Sequence, residues 1–291
     1  MTDNIEFIGI GAPRCGTSWI ANVLRAHPKI CISEPKEVRY FNRMEMQVGR
    51  LKGNVNANFD QDISWYLKRF SHAKPGQLLG EISPVYLSDE QAPAAIKAEY
   101  PDVKLIVCLR NPVDRAYSFY RLHSGNRIID DMSFEEALDK EDVYVRTGMY
   151  GEHLARYLEH FDRNQILFLV FEELIAEPER ELNRVFEFLG VEPPAELDPS
   201  KFHTNESAKR RSNKLHKTAF RVSQWLIEHG FSKVLELLRA VGIHKLFNRI
   251  NAAPVKKESM SDATRARLVA EFKDDIVRLE GLFDIDLGRW K

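Results

Sequence analysis

The sequence predicts an α/β protein: a parallel sheet flanked by helices, with a P-loop-like phosphate-binding loop and a helical C-terminal extension. Three observations predict it. Short apolar runs alternate with amphipathic segments over the first two thirds of the chain, the order of a parallel sheet wrapped by crossover helices. A glycine loop, GAPRCGTS, joins the first apolar run to the first helical pattern. From residue 212 onward the pattern is helical only, with no strand candidate.

The elements follow in order. Residues 5–11, IEFIGIG, read as a buried parallel strand ending on a glycine turn. Trp19, Ile20, Val23 and Leu24 fall at helical spacing within residues 17–26, and His27-Pro28 stops that helix. Residues 29–33 make a second short strand. Tyr66, Leu67 and Phe70 mark a helix, residues 77–82 a strand and residues 92–99 a helix. VKLIVCL, residues 103–109, is the strongest buried strand. Asn111 then offers an N-cap and Pro112 a first helical residue for a helix running through Tyr120. Ser133 with Glu136 is a capping box. Residues 153–161 are helical, residues 165–171 (QILFLVF) form a strand, and residues 179–189 form a helix that stops at Gly190. After a proline-bearing loop over 192–202, helices cover about 214–250 and 262–283. The chain reads as one domain over residues 1–291, an α/β core to about 211 and the helical extension from about 212.

Bulk properties narrow the function. A formal net charge of −1 gives no bulk field toward nucleic acid or a membrane surface, so a polyanion would need a local basic cluster. Cys15, Cys31 and Cys108 show no CxxC pair and no zinc-like spacing, which suits a reducing compartment. No leader-like start and no run of eighteen apolar residues is seen, so a cytoplasmic protein is expected. Near Phe220–Ile250, Arg221, Lys233, Arg239, Lys245 and Arg249 alternate with apolar residues. Such helices cover a core or a homodimer face; a second reading is docking on a membrane or carrier protein.

The loop carries the first chemical signal. Gly11 to Gly16 has P-loop spacing, but Thr17 fills the lysine slot and the basic residue is Arg14. The strand 103–109 ends in Arg110, where a P-loop NTPase holds its metal through an Asp. Both departures point to an anion site built from cations and backbone amides, with no metal. Alone, the loop is equally compatible with a tight strand-to-helix turn that binds nothing.

With these residues in view, the sequence resembles the family of sulfotransferases that use 3′-phosphoadenosine 5′-phosphosulfate (PAPS). APRCGTSW is similar to the family's 5′-phosphosulfate loop, and LRNPVDRAYSFY to its 3′-phosphate segment. The resemblance implies that Arg14, Cys15, Gly16, Thr17 and Ser18 hold the phosphosulfate and that Arg110 and Ser118 hold the 3′-phosphate. KEVRYFN resembles the segment carrying the catalytic glutamate in the heparan-sulfate-type branch, which makes Glu37 the general base and Arg14 a charge stabiliser. GEISPVYL, the segment over 147–190 and the closing DLGRW also look family-like. Lys209, Arg210 and Arg211 fall where the family has a basic loop over the nucleotide; their other reading is a solvated face. Trp19 is either core or a platform for the adenine.

Three departures from the family pattern stand out: arginine rather than lysine at position 14, Ile82 in place of a lysine, and Trp19 shared with the small-molecule branch. The implied reaction is sulfuryl transfer from PAPS to an acceptor hydroxyl or amine of a small molecule, glycan or lipid, leaving adenosine 3′,5′-bisphosphate. Val38, Tyr40 and Phe41 beside Glu37 lead us to expect a raised pKa there. The rival readings are a kinase-like phosphotransferase and a catalytically inactive nucleotide-binding scaffold.

Overall fold

The structure, a computed structural model, describes residues 4–45, 48–126, 128–129, 132–194, 198, 209–210, 252–253 and 260–291. Strands β1 (Phe7–Gly11), β2 (Ile30–Ile32), β3 (Leu78–Ile82), β4 (Lys104–Leu109) and β5 (Ile166–Val170) form one parallel sheet. Their order is β2-β3-β1-β4-β5. Helices cover both faces, so the strands are largely buried, which is why they read as apolar runs. Two charged residues break that rule: Lys104, half-buried at the start of β4, and Glu81, inside β3 with no exposed surface.

The order reverses beside β1, with β3 on one flank and β4 on the other. Connections leaving β1 and β4 therefore diverge and open a crevice at the sheet's carboxyl edge, where ligands bind in open α/β folds. Helix α1 (Thr17–Ala26) follows β1, and α2 (Ile63–Leu67) and α3 (Ala92–Glu99) flank β3 in sequence. Helix α4 (Pro112–Gly125) follows β4. Asn111 caps it, its Oδ1 accepting the amides of Val113 at 3.0 Å and Asp114 at 3.3 Å. The Ser133–Glu136 capping box opens α5 (Phe134–Lys140).

Next come α6 (Val143–Arg146), α7 (Tyr150–Leu158), α8 (Phe171–Ala176), α9 (Pro178–Leu189) and α10 (Asp262–Phe283). Helix α10 closes onto α7. Its Asp275 carboxylate accepts the amides of Gly151 and Glu152, each at 2.8 Å, and so caps the positive end of α7. A Cβ on Gly151 would lie 2.5 Å from the Asp275 carbonyl oxygen, so the close approach requires glycine. The tail after α10 docks through buried Leu287 and Trp290.

Several boundaries differ from the sequence expectation. Helix α4 runs to Gly125, beyond Tyr120, and α7 starts at Tyr150, before His153. Strand β5 ends at Val170 and Phe171 opens α8, because an apolar run does not itself mark where a strand becomes a helix. Helices α6 and α8 are too short to show a period. The C-terminal region was expected to hold no strand. It contributes β7 (Ala252–Ala253), paired antiparallel with β6 (Lys209–Arg210), a ladder too short to leave an alternating pattern. The expected helix over 214–250 lies outside the described residues. Among the described residues no helix is long and apolar enough to cross a membrane.

Candidate functional site: an arginine cradle and a glutamate strap

At the end of β1 the chain turns through residues 12–16 into α1. Gly16 occupies the N-cap with φ 78, a left-handed conformation, and a Cβ there would press on the Phe171 ring at 3.0 Å. Glycine brings no capping side chain: Trp19 N–H donates to the Gly16 carbonyl at 2.9 Å, and among the described residues the N–H groups of Thr17 and Ser18 have neither a side-chain cap nor an intrahelical acceptor. They leave a positive helix end open to an anion.

Arg14 also sits in the left-handed region, at φ 72, a strain of about 1 kcal/mol for a non-glycine residue. The turn directs its guanidinium across the crevice, where Nε donates to Ser118 Oγ at 3.1 Å. Burial lowers the Arg14 pKa, and the nearby charges of Arg110 and Arg121 lower it further. Arg14 thus stands within reach of two further guanidinium charges, an arrangement that a bound anion relieves.

Packing holds Arg110. Its guanidinium lies 5.1 Å from the Phe171 ring centroid, and its carbonyl accepts from Tyr150 Oη at 3.1 Å. The next amide, Asn111 N–H, donates to Glu172 Oε1 at 2.9 Å. Asp114, one turn along α4, pairs with Arg265 at 2.7 Å; among the described residues no carboxylate pairs with Arg110. The residues present fit a multiply charged phosphate ligand.

Among the remaining expected donor contacts, Cys15 is buried, and burial pushes its thiol up to about 11, so it stays a neutral thiol. Its amide already donates to Ala12 O at 3.3 Å, whereas among the described residues the amides of Gly16, Thr17 and Ser18 have no acceptor. Trp19 is 5% exposed and packs in the core. The backbone of Lys209 and Arg210 runs beside α4 as β6; their side chains, and all of Arg211, lie outside the described residues.

Glu37 sits on the strap over residues 36–42 that leaves β2 and crosses the carboxyl edge. Lys36 connects it to the cradle: its Nζ lies 3.1 Å from Ser18 Oγ, on the first turn of α1, and 3.0 Å from Glu37 Oε1. Arg39 holds the other oxygen at 3.1 Å and also reaches Glu45 at 3.1 Å. The expectation of a raised Glu37 pKa is overturned. Burial alone would raise it, but the charges and hydrogen bonds of Lys36 and Arg39 together outweigh burial and hold it below the ordinary value. The reason is side-chain direction. Val38 and Phe41 turn into the core, 1% and 2% exposed, while Glu37 faces the opposite way with the two cations.

Beneath the strap lies Glu81. Its Oε1 accepts from Tyr86 Oη at 2.7 Å and Tyr66 Oη at 3.1 Å. Its Oε2 accepts from Ser83 Oγ at 2.9 Å and the Val38 amide at 3.3 Å. Burial pushes its pKa up to about 7 against the pull of these donors. Sequence reasoning missed Lys36, Phe171, Tyr150 and Glu172 as parts of the site. Lys36 was visible beside Glu37 in KEVRYFN, and Phe171-Glu172 directly follow β5; Tyr150 left no local signal.

The 2-3-1-4-5 parallel sheet, with a glycine loop feeding a bare helix end flanked by arginines, defines an α/β protein with a P-loop-like anion cradle. Residues 5–233 match the sulfotransferase domain family. The chain belongs to that family, whose enzymes are PAPS-dependent.

Human heparan sulfate glucosamine 3-O-sulfotransferase 3B1 is 31% identical over 194 residues, 64% of this chain and 46% of the relative. The mouse heparan sulfate glucosamine 3-O-sulfotransferase 6 is 31% identical over 62% of this chain and 51% of its own. The chain thus spans about half the length of these curated relatives. A solved sulfotransferase from Alicyclobacillus acidocaldarius superposes with a TM-score of 0.72 at 25% identity, covering 99% of this chain and 98% of that one. The kinase-like reading falls with this membership.

Proposed function

We propose that the chain moves a sulfuryl group from PAPS to an acceptor hydroxyl or amine by in-line displacement, with Glu37 as general base and without a metal ion. One observation carries the reading. Arg14, on the turn into the N-terminus of α1 that has no side-chain cap, feels the charges of Arg110 and Arg121, and Lys36 ties that same helix end to Glu37. Arg110 and Ser118 take the 3′-phosphate; Arg14 and the amides of Gly16, Thr17 and Ser18 take the phosphosulfate. An arginine at the end of β4 repels a divalent cation where a carboxylate would hold one.

In the transfer, the acceptor oxygen forms a bond to sulfur while the bond from sulfur to the 5′-phosphate oxygen breaks. The electron pair leaves on that phosphate, giving adenosine 3′,5′-bisphosphate, and the acceptor proton passes to Glu37 Oε. Catalysis of this kind rests on positioning and on fixed charge facing the oxygens where charge gathers. Lys36 and Arg39 hold Glu37 below the ordinary carboxylate value, which favours the charged form that accepts a proton and restrains its basicity.

Labelled PAPS and a series of acceptors in EDTA test the reading. The relatives are named for a glucosamine hydroxyl, so a glycan alcohol heads the series, followed by phenol, lipid, peptide and amine. Label should move to at least one class. Binding of the bisphosphate with no transfer to any class would put the inactive scaffold in its place.

A further inference from the structure

The reading of Glu37 as base leaves a fully buried carboxylate, Glu81, without a role. Its surroundings assign it one. Four successive backbone amides of the strap end on Glu81 or on a hydroxyl that Glu81 orients. The Val38 amide donates to Glu81 Oε2 directly. The Arg39 amide donates at 3.0 Å to Ser83 Oγ, whose own hydrogen goes to Glu81. The amides of Tyr40 and Phe41 donate at 2.8 and 3.3 Å to Tyr86 Oη, whose hydrogen also goes to Glu81.

A hydroxyl is both donor and acceptor, and a free one turns to suit its neighbours. Here the carboxylate takes both hydroxyl hydrogens, so the lone pairs of Ser83 and Tyr86 face the strap. Tyr66 Oη completes the set from α2. On the other side of the strap, Asn58 Nδ2 donates to the Val38 carbonyl at 2.9 Å, and Asn56 Nδ2 to the Arg39 and Asn42 carbonyls. The segment that begins at Glu37 is therefore pinned through its amides by one buried anion.

We infer that Glu81 is a positioning residue for sulfuryl transfer: through Ser83 and Tyr86 it fixes the amides of residues 38–41 and thereby aims Glu37 at the acceptor. The inference rests on Glu37 being the base and gives Glu81 no contact with the substrate. Every partner of Glu81 is a donor, so a proton on its carboxyl would meet a donor on either oxygen and would have to displace one. The titratable groups facing it are Tyr66 from α2 and Tyr86 from the turn after β3; burial holds both phenols well above 10, so they remain neutral donors. Tyr100, at the end of α3, adjoins Tyr66. Burial pushes Glu81 up to about 7 while Lys36 and Arg39 hold Glu37 below its ordinary value, so the acid limb of turnover should follow Glu81.

The test compares Glu81→Gln, Glu37→Gln and the double variant, with single-turnover rates on an alcohol acceptor and calorimetry of adenosine 3′,5′-bisphosphate. Glutamine keeps the Oε1 acceptor but places an NH2 against the Val38 amide and Ser83. A misplacement of about 1 Å is worth up to about 100-fold in rate, so Glu81→Gln should lower kcat about 10- to 100-fold. Bisphosphate affinity should stay within about 2-fold, because the Arg14–Ser118 side of the cradle is untouched. The acid limb near pH 7 should flatten at the lower rate, which a general loss of stability would not produce. In the Glu37→Gln background, Glu81→Gln should cost less than about 3-fold, since a pin has nothing left to aim.

Full kcat in Glu81→Gln, an additive loss in the double variant, or parallel loss of bisphosphate binding would each overturn the inference while leaving Glu37 in place. A near-normal Glu37→Gln with an inactive Glu81→Gln would overturn the base assignment itself. Ser83→Ala and Tyr86→Phe cover the case in which Glu81→Gln does not fold. Each removes one hydroxyl relay and keeps the carboxylate, and each should lower kcat several-fold at unchanged bisphosphate affinity; unchanged kcat in both would overturn the inference.

Discussion

The cradle at the end of β1 and the strap above β3 solve opposite problems. The cradle brings like charges together: the charges of Arg110 and Arg121 add to burial in lowering the affinity of Arg14 for a proton, a grouping that a bound anion would relieve. The strap is complete as it stands. A single buried carboxylate satisfies a serine hydroxyl, two phenols and an amide, and two cations already neutralise Glu37. In the proposed reading the cradle is a binding device whose energy is released by the donor, whereas the strap is an aiming device whose energy is spent in folding. Damage to one should appear in donor affinity, and damage to the other in rate.

The sharpest separation should come from Glu37→Gln. Removal of a positioned base should lower the rate about 10²- to 10⁴-fold. Donor affinity should survive, because no cradle residue is altered. An alcohol acceptor must be used, since an amine already deprotonated needs little base. A rate within a few-fold of the parent would break the distinction.

Arg110→Ala should do the reverse. Loss of a charge-assisted phosphate contact should weaken bisphosphate binding by about 2–4 kcal/mol. Binding of the 5′-monophosphate, which lacks the 3′ group, should barely change. Equal losses for both ligands would mean that Arg110, stacked on Phe171, holds up the fold instead.

A smaller effect lies in the cradle's backbone. Gly16→Ala places a Cβ in the left-handed region and against the Phe171 ring. It should lower stability by about 1–2 kcal/mol in urea unfolding, with a matching loss of donor affinity. An unchanged urea midpoint would show that the loop tolerates another path.

The gentlest probe is pH. Glu81 has a folded pKa of about 7, above its ordinary 4.5. The native chain therefore keeps a proton that the unfolded chain releases, and this contribution to stability is full below about 4.5 and lost as pH rises through 7. Urea midpoints from pH 5 to pH 8 should fall by this increment in the parent and not in Glu81→Gln. The same slope in both proteins would place the titration elsewhere.

The two regions also differ in how far the sequence revealed them. The cradle is local: glycines, an arginine and a helix start within eight residues, then Arg110 at the end of the most apolar run and Asn111-Pro112 opening α4. Local patterns likewise located α10, whose bounds agree with those read from the sequence. The strap is built by contacts across the chain. Glu81 meets Tyr66 and Val38 from other segments, and no spacing in LLGEI announces a carboxylate buried on a central strand. Glu37 shows the same limit in reverse. Its apolar neighbours in sequence suggested a greasy setting, yet Val38 and Phe41 point into the core and leave Glu37 between Lys36 and Arg39.

The central claim, that the arginine cradle is a metal-independent site for the sulfuryl donor's nucleotide, is tested most directly by calorimetry with adenosine 3′,5′-bisphosphate and ATP, each with magnesium and with EDTA. The Arg14 guanidinium, with the charges of Arg110 and Arg121 acting on it and a helix N-terminus without a side-chain cap beside it, predicts that the bisphosphate binds equally in both conditions and much more tightly than ATP. Tight binding of ATP that requires magnesium would contradict it.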